Sequence, residues 1–211
     1  MKRIVSLLFV AVALVALPMR AEAQIDLSKA FGALLGAAAA EQSAEKSPLE
    51  IIAEQAPSSR DVVRTWGYER AYFDYLGSNP LAEVALQQSE TTVQAALKRE
   101  GIVAGSFTLT LRRNGSGFII WREHAVDGTY DYIEQKGRVT IATSVDGVNY
   151  ECGGFMKMEG DNLVVMVDAR DAMDAFLAAA PNYRNDSVVL TMQGLLESFK
   201  GIFICVEFRK F

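Results

Sequence analysis

The sequence predicts a mainly β fold: an eight-stranded antiparallel up-and-down barrel, with helical insertions in two connections capping one end. Three observations carry this expectation. Beyond Asp61 the chain breaks into short runs in which apolar and polar residues alternate, the period of a strand with one buried face. Tight turns carrying Gly join most of these runs, as hairpins in a meander require. Only two connections are long, and both carry helix start and stop residues.

The chain opens on a processing signal. Lys2 and Arg3 are basic, Ile4 to Leu17 is apolar, and Ala21-Glu22-Ala23 is a small-residue cleavage motif, so residues 1–23 read as an export signal cut before Gln24. The apolar run is shorter than the roughly 20 residues a membrane span needs, and Pro18 and Arg20 end it. No Cys follows the cut to take a lipid. The mature chain is therefore expected in the periplasm or outside the cell, soluble, with no transmembrane span after cleavage.

Residues 24–60 are rich in Ala and Gly and lack strand periodicity, which predicts a helical or disordered linker. Phe31, Leu34 and Leu35 have the i, i+3, i+4 spacing of a helical face that could insert into a partner or a barrel mouth. The barrel domain is expected over residues 61–211.

The first strand is expected from Arg64 to Tyr75, with Trp66 at its head. The second runs from Ser106 to Arg112, where Phe107, Leu109 and Leu111 alternate with Thr108 and Thr110. The Asn114-Gly115 turn delivers a third strand, Phe118 to Glu123, in which either Phe118 and Ile120 or Ile119 and Trp121 face inward. A fourth, Gly128 to Ile133, turns through Lys136-Gly137 into a fifth, Arg138 to Thr143. Asp146-Gly147 leads to a sixth, Val148 to Met158, and Gly160-Asp161 to a seventh, Asn162 to Val167. The eighth begins at Ile202.

Asn79 and Pro80 start a helix that runs to about Arg99, with Leu81, Val84, Ala85, Val93, Ala96 and Leu97 as its buried stripe. Asp168 caps a second helix that Pro181 stops, and a third spans Ser187 to Lys200 before Gly201. Connections in a meander emerge alternately at the two ends, so both insertions are expected over one barrel mouth and in contact with each other.

Charge and chemistry exclude more than they assign. The net charge is -5 with no basic cluster, and loss of Lys2, Arg3, Arg20 and Glu22 makes it more negative, which argues against a nucleic-acid partner. His124 is the sole histidine and reads as a solvated strand end; a zinc site or a hydrolase triad lacks material. Asp168, Asp171 and Asp174 lack calcium-loop spacing, and helix capping explains the first two. Asp186-Ser187-Val188 resembles bacterial O-glycosylation sites but also starts a helix. By strand parity Cys152 points inward and Cys205 outward, beside Glu207 and Arg209 on the solvent side, so no disulfide is expected. No catalytic residue, metal ligand or cofactor is assigned.

An eight-stranded barrel is wide enough to be filled by side chains or to hold one small ligand. Phe107, Tyr130, Tyr132, Tyr150, Met156 and Phe208 are the candidate lining, with Trp66 as the barrel floor. Two roles remain: a carrier of a small apolar or amphipathic ligand under a helical lid, or a solid-barrel envelope protein that meets a protein partner.

The stretch Asp61-Val62-Val63-Arg64-Thr65-Trp66-Gly67-Tyr68 resembles the G-x-W opening of lipocalin-like (calycin) barrels, with Arg64 where that motif has Gly. Taken with the leader, Gly105-Ser106-Phe107-Thr108, Gly128-Thr129-Tyr130, Gly160-Asp161-Asn162-Leu163 and Ser198-Phe199-Lys200-Gly201, the mature chain resembles a family of exported bacterial proteins of unknown function with a lipocalin-like domain. The resemblance implies a fold and an exported location, and carries over no catalytic residue.

Overall fold

The computed structural model describes residues 48–77, 79–99, 101–145, 148–179, 181–185 and 187–211. The expected export signal and the Phe31, Leu34 and Leu35 segment lie outside the described residues. So do Asp186 and the side chains of Ser187 and Tyr150.

Two short helices, α1 (Pro48–Glu54) and α2 (Ser59–Val62), precede the barrel. Its strands are β1 (Thr65–Tyr75), β2 (Phe107–Leu111), β3 (Ser116–Trp121), β4 (His124–Ile133), β5 (Arg138–Val145), β6 (Val148–Glu159), β7 (Asn162–Asp168) and β8 (Ile202–Lys210). Helix α3 (Pro80–Arg99) joins β1 to β2; α4 (Ala169–Ala179) and α5 (Ser187–Ser198) join β7 to β8. The strands follow sequence order, each antiparallel to the next, and β8 closes on β1. This is the expected up-and-down barrel.

Ile119 is buried and Trp121 packs beside it in the interior, which settles the parity of β3. His124 is exposed at the start of β4 rather than the end of β3. A two-residue turn, Arg122-Glu123, reverses the chain there, with Arg122 at φ 57. Asp168 caps α4 as expected, its Oδ1 accepting from the Arg170 N–H at 2.8 Å.

At the hairpin end the floor is dense. Trp66 is fully buried, its Nε1 donating to the Val62 carbonyl at 3.0 Å, among Val139, Met156 and Leu163, which are also fully buried. At the other end a second core joins Met173, Phe176, Leu177, Val189, Leu195 and Leu196 to Ile202 and Ile204 of β8. Leu86 of α3 belongs to it, so both insertions contribute to this one core.

Helix α3 is nevertheless not a lid lying over the mouth. β1 pairs with β8 from Trp66 to Tyr75 but with β2 only from Thr65 to Gly67. The upper half of β1 therefore has no strand on its second side, and α3 runs down that edge. Its Gln94 Nε2 donates to the Ala71 carbonyl, and the Gly105 N–H donates to the Tyr68 carbonyl at 2.6 Å. These bonds satisfy edge groups that would otherwise be buried unpaired. Of the expected stripe, Leu97 and Val93 pack inward and Val84 does not, and the side chains of Leu81, Ala85 and Ala96 lie outside the described residues. Ala82, Leu86 and Leu97 are buried and Val93 half-buried, whereas Val84 is 53% exposed. Leu97 belongs to the floor core that holds Trp66 and Tyr68, not to the core at the mouth.

The outer wall corrects a second expectation. Cys205 does point outward, but it is fully buried, with Val164, Met166 and Phe203, beneath Ile52 of α1. Burial raises its thiol pKa far above the ordinary value. Beside this apolar strip, Glu207 is buried rather than solvated. Arg70 Nε at 2.5 Å and Asn162 Nδ2 at 2.7 Å donate to it, and their pull outweighs its burial, so its carboxyl pKa is lowered. Lys157 is likewise held, by Asp74 at 3.2 Å and Glu159 at 2.8 Å; burial opposes its charge and these partners more than offset it.

The expected linker zone reaches the barrel wall before Asp61. The Met158 N–H donates to the Gln55 carbonyl at 2.8 Å, Tyr132 OH to the Pro57 carbonyl at 2.7 Å, and Ser59 Oγ to Glu134 at 2.7 Å. The sequence showed no strand period there because the chain forms α1, which covers the outer wall through Ile52, and α2, which joins the floor core through Val62.

Candidate functional site

The barrel interior is not completely filled. Above the floor lies a cavity of about 100 Å³. Phe107, Leu109 and Leu111 of β2, Ile119 of β3, Val126 and Tyr130 of β4, and Ile141 of β5 line one side. Cys152 of β6, Val165 and Val167 of β7, and Ile204, Val206 and Phe208 of β8 line the other. The strand alternation that places these side chains inward is the one the sequence shows.

Polar groups at the cavity are already spent. Thr143 Oγ1 donates to the Asp127 carbonyl at 2.7 Å, and Tyr130 OH to the Arg112 carbonyl at 2.8 Å. The Cys152 thiol lies 3.6 Å from the neighbouring Gly153 carbonyl. Burial, with a smaller contribution from Asp171, pushes its pKa up to about 11. At neutral pH it is therefore a thiol and not a nucleophilic thiolate. The lining is almost wholly apolar and offers chiefly dispersion contacts; Asp127 and Thr129 are its exposed polar members.

Of the expected lining residues, Phe107, Tyr130 and Phe208 reach the cavity. Met156 is instead a floor residue beside Trp66, fully buried. Tyr132 leans to the hairpin end, its hydroxyl bonded to Pro57 and its pKa raised by burial and by Glu134. The reason is register: Tyr132 pairs with Val139 and Tyr130 with Ile141, so Tyr132 lies nearer the floor.

One contributor was not singled out from the sequence: Gly128, expected as the start of the fourth strand, lies inside β4, directly opposite Gly117 of β3, and both line the cavity. A Cβ on Gly128 would meet the Ala142 carbonyl oxygen at 2.7 Å, so glycine lets the backbone of β5 approach closely. An isolated Gly between strand-forming residues was the available signal. Trp121, one of the two inward alternatives for the third strand, lies outside the cavity lining. It pairs across the sheet with Phe107, and its Nε1 is buried with no acceptor. The Arg122 guanidinium stacks 4.4 Å above its ring.

Aromatic rings separate the cavity from α3. Tyr68 and Phe107 stack with centroids 4.5 Å apart, and Phe208 meets both edge-on at 6.5 and 5.9 Å. Tyr68 is buried on the α3 side, and that burial pushes its pKa up to about 12. Among the described residues, no group of three His, Cys, Asp or Glu side chains is placed to hold a metal ion, and no helix is long and apolar enough to cross a membrane.

Among solved structures, a DUF4847 family protein from Bacteroides vulgatus ATCC 8482 is similar at 11% identity. The match covers 69% of this chain and 92% of that one, with a TM-score of 0.36. No curated protein matches the chain. The family model described as "Lipocalin-like domain (DUF4923)" matches residues 35–210, from within the zone ahead of α1 to the end of β8. The barrel topology agrees with that description, and the chain belongs to this lipocalin-like domain family.

Proposed function

We propose that this protein is an exported, non-enzymatic carrier that holds a small apolar ligand, or the apolar end of an amphipathic one, inside its barrel. The observation that carries the reading is the cavity of about 100 Å³ with its almost wholly apolar wall. Apolar cavities of roughly 150 Å³ stay dry and take up molecules such as benzene or xenon. Drug-sized ligands need roughly 300–1,000 Å³. The occupant is therefore small, or contributes only a chain end of a few carbons. Charged groups are excluded from the inner end, because nothing there would compensate their desolvation.

A binding role fits the chemistry better than catalysis. His124 is exposed on the β3–β4 turn, away from the cavity lining, and Cys152 is held as a neutral thiol. The leader supports export into the periplasm or beyond.

The test is native mass spectrometry, with solvent extraction, of the protein purified from its own host. A co-purifying apolar molecule or single-chain lipid, released when Val165→Phe fills the cavity, is the expected result. A native chain that carries the same background as Val165→Phe would leave a solid-barrel protein that acts through its surface on another envelope protein.

A further inference from the structure

The strand ladder is not continuous around the barrel. β6 and β7 pair only from Phe155 to Glu159 on the β6 side, and above that the two strands part. β6 runs on to Val148, still paired with β5, whereas β7 ends at Asp168 and turns into α4. β6 therefore keeps a free edge from Asn149 to Gly153. Backbone groups alternate in direction along an antiparallel strand. The Met156 N–H turns to β5, donating to the Gly137 carbonyl at 2.7 Å, so Glu151 and Gly153 turn theirs to the free side. Among the described residues no hydrogen bond reaches either backbone from that side, apart from the Cys152 thiol 3.6 Å from the Gly153 carbonyl. Both residues are exposed, and a Cβ on Gly153 would meet nothing within 4 Å.

This edge borders the cavity. Cys152, between the two, lines it, and so does Val167 on the facing strand. A strand laid along β6 would alternate in step with it: a residue beside Cys152 faces the cavity, and the residue opposite Glu151 faces outward. The charges near the edge are acidic. Glu151 lies on it, and Asp171 of α4 is close enough to act on the Cys152 thiol. The neighbouring Arg170 is turned to the Leu196 carbonyl. Two copies of this chain would pair poorly there. Any antiparallel register within Asn149–Gly153 sets their Glu151 residues opposite or diagonal to each other, and like charges so placed repel.

Resting on the carrier reading above, we propose that the amphipathic occupant is an extended peptide segment of another protein, added as a strand to the free edge of β6. A Lys or Arg of that segment stands opposite Glu151, and an aliphatic side chain next to it enters the cavity beside Cys152. Main-chain bonds then supply affinity, and the cavity and Glu151 supply selectivity.

NMR titration of the full chain with the blocked peptide acetyl-Thr-Leu-Lys-Leu-Thr-amide tests this. The Gly153 amide and the methyls of Val165 and Val167, which line the cavity, should shift together and saturate. Of the three central residues only Lys turns its backbone N–H to β6. N-methylation there should weaken binding about tenfold, whereas N-methylation of either Leu, which points away, should leave it unchanged. Glu in place of Lys should weaken binding about fivefold, and Glu151→Lys should reverse that preference. Ser in place of both Leu residues should abolish binding.

Equal losses from the two kinds of N-methylation, or a preference for Lys that survives Glu151→Lys, would overturn strand addition at β6. Shifts at Gly153 without shifts at Val165 and Val167, or undiminished binding of the Ser peptide, would overturn the link between edge and cavity. Hexane separates this proposal from the reading it rests on. Cavity methyls that shift with hexane and with no peptide would overturn the peptide occupant and leave the carrier. No shift with hexane or any peptide would sink both.

Discussion

Trp66→Ala is expected to lower the unfolding free energy by about 3–5 kcal/mol, the range for removing a large aromatic from a packed core. Trp66 is fully buried beneath the cavity, so the surrounding Val139, Met156 and Leu163 would have to collapse to recover the lost contacts. They are themselves fixed by strand pairing: Val139 to Gly154, Met156 to Val165, Leu163 to Phe208. Loss of the indole also removes one of two donors to the Val62 carbonyl, leaving the Arg64 N–H at 3.0 Å, and loosens α2 from the floor. Urea denaturation at neutral pH checks this. A change below about 1 kcal/mol would mean that Trp66 is not a floor residue.

Two adjacent glycines in β6 are expected to respond with opposite sign. A Cβ on Gly154 would lie 2.4 Å from the Met166 carbonyl oxygen, and that oxygen is backbone, in a strand paired on both sides. Gly154→Ala must therefore shift a strand, at about 1–3 kcal/mol for an overpacked interior. A Cβ on Gly153 would meet nothing within 4 Å, and its φ lies outside the left-handed region. Gly153→Ala should be neutral or stabilising by up to about 1 kcal/mol, because alanine has less freedom to lose from the unfolded chain. Paired thermal melts read the difference directly. Equal effects would contradict the β6–β7 register.

The barrel was legible in the sequence because its signals are local. Alternation in Phe107–Leu111 fixes which side chains of β2 face inward, and the Gly115, Gly137 and Gly160 turns fix where the chain reverses. Asn79-Pro80 and Asp168 likewise mark the helix starts. Three features that depend on distant packing were not legible. Cys205 and Glu207 lie on the outward side of β8, and strand parity alone equates outward with solvated. Ile52 of α1 covers the first, and Arg70 and Asn162 bury the second. The stripe of α3 was legible only in part: Val93 and Leu97 pack inward as the spacing predicts, but the helix lies along a strand edge, which also draws in Ala82, Leu86 and Gln94 and leaves Val84 exposed. Of the candidate lining, Tyr130 and Tyr132 carry the same sequence signal. Only the two-residue step along β4 separates a cavity residue from one bonded to Pro57.

The account rests on a dry, apolar, fillable cavity at the barrel centre, and xenon binding followed by methyl NMR tests that most directly. Methyl resonances of Leu109, Ile141, Val165 and Ile204, which line the cavity, are predicted to shift in a saturable way under xenon pressure. Those of Leu195 and Leu196, in the separate core beneath α4 and α5, are predicted to stay in place. Val165→Phe should abolish the shifts while the fold persists. Absence of any shift in the native chain, or equal shifts in both cores and in Val165→Phe, would contradict a specific receptacle and leave a solid barrel.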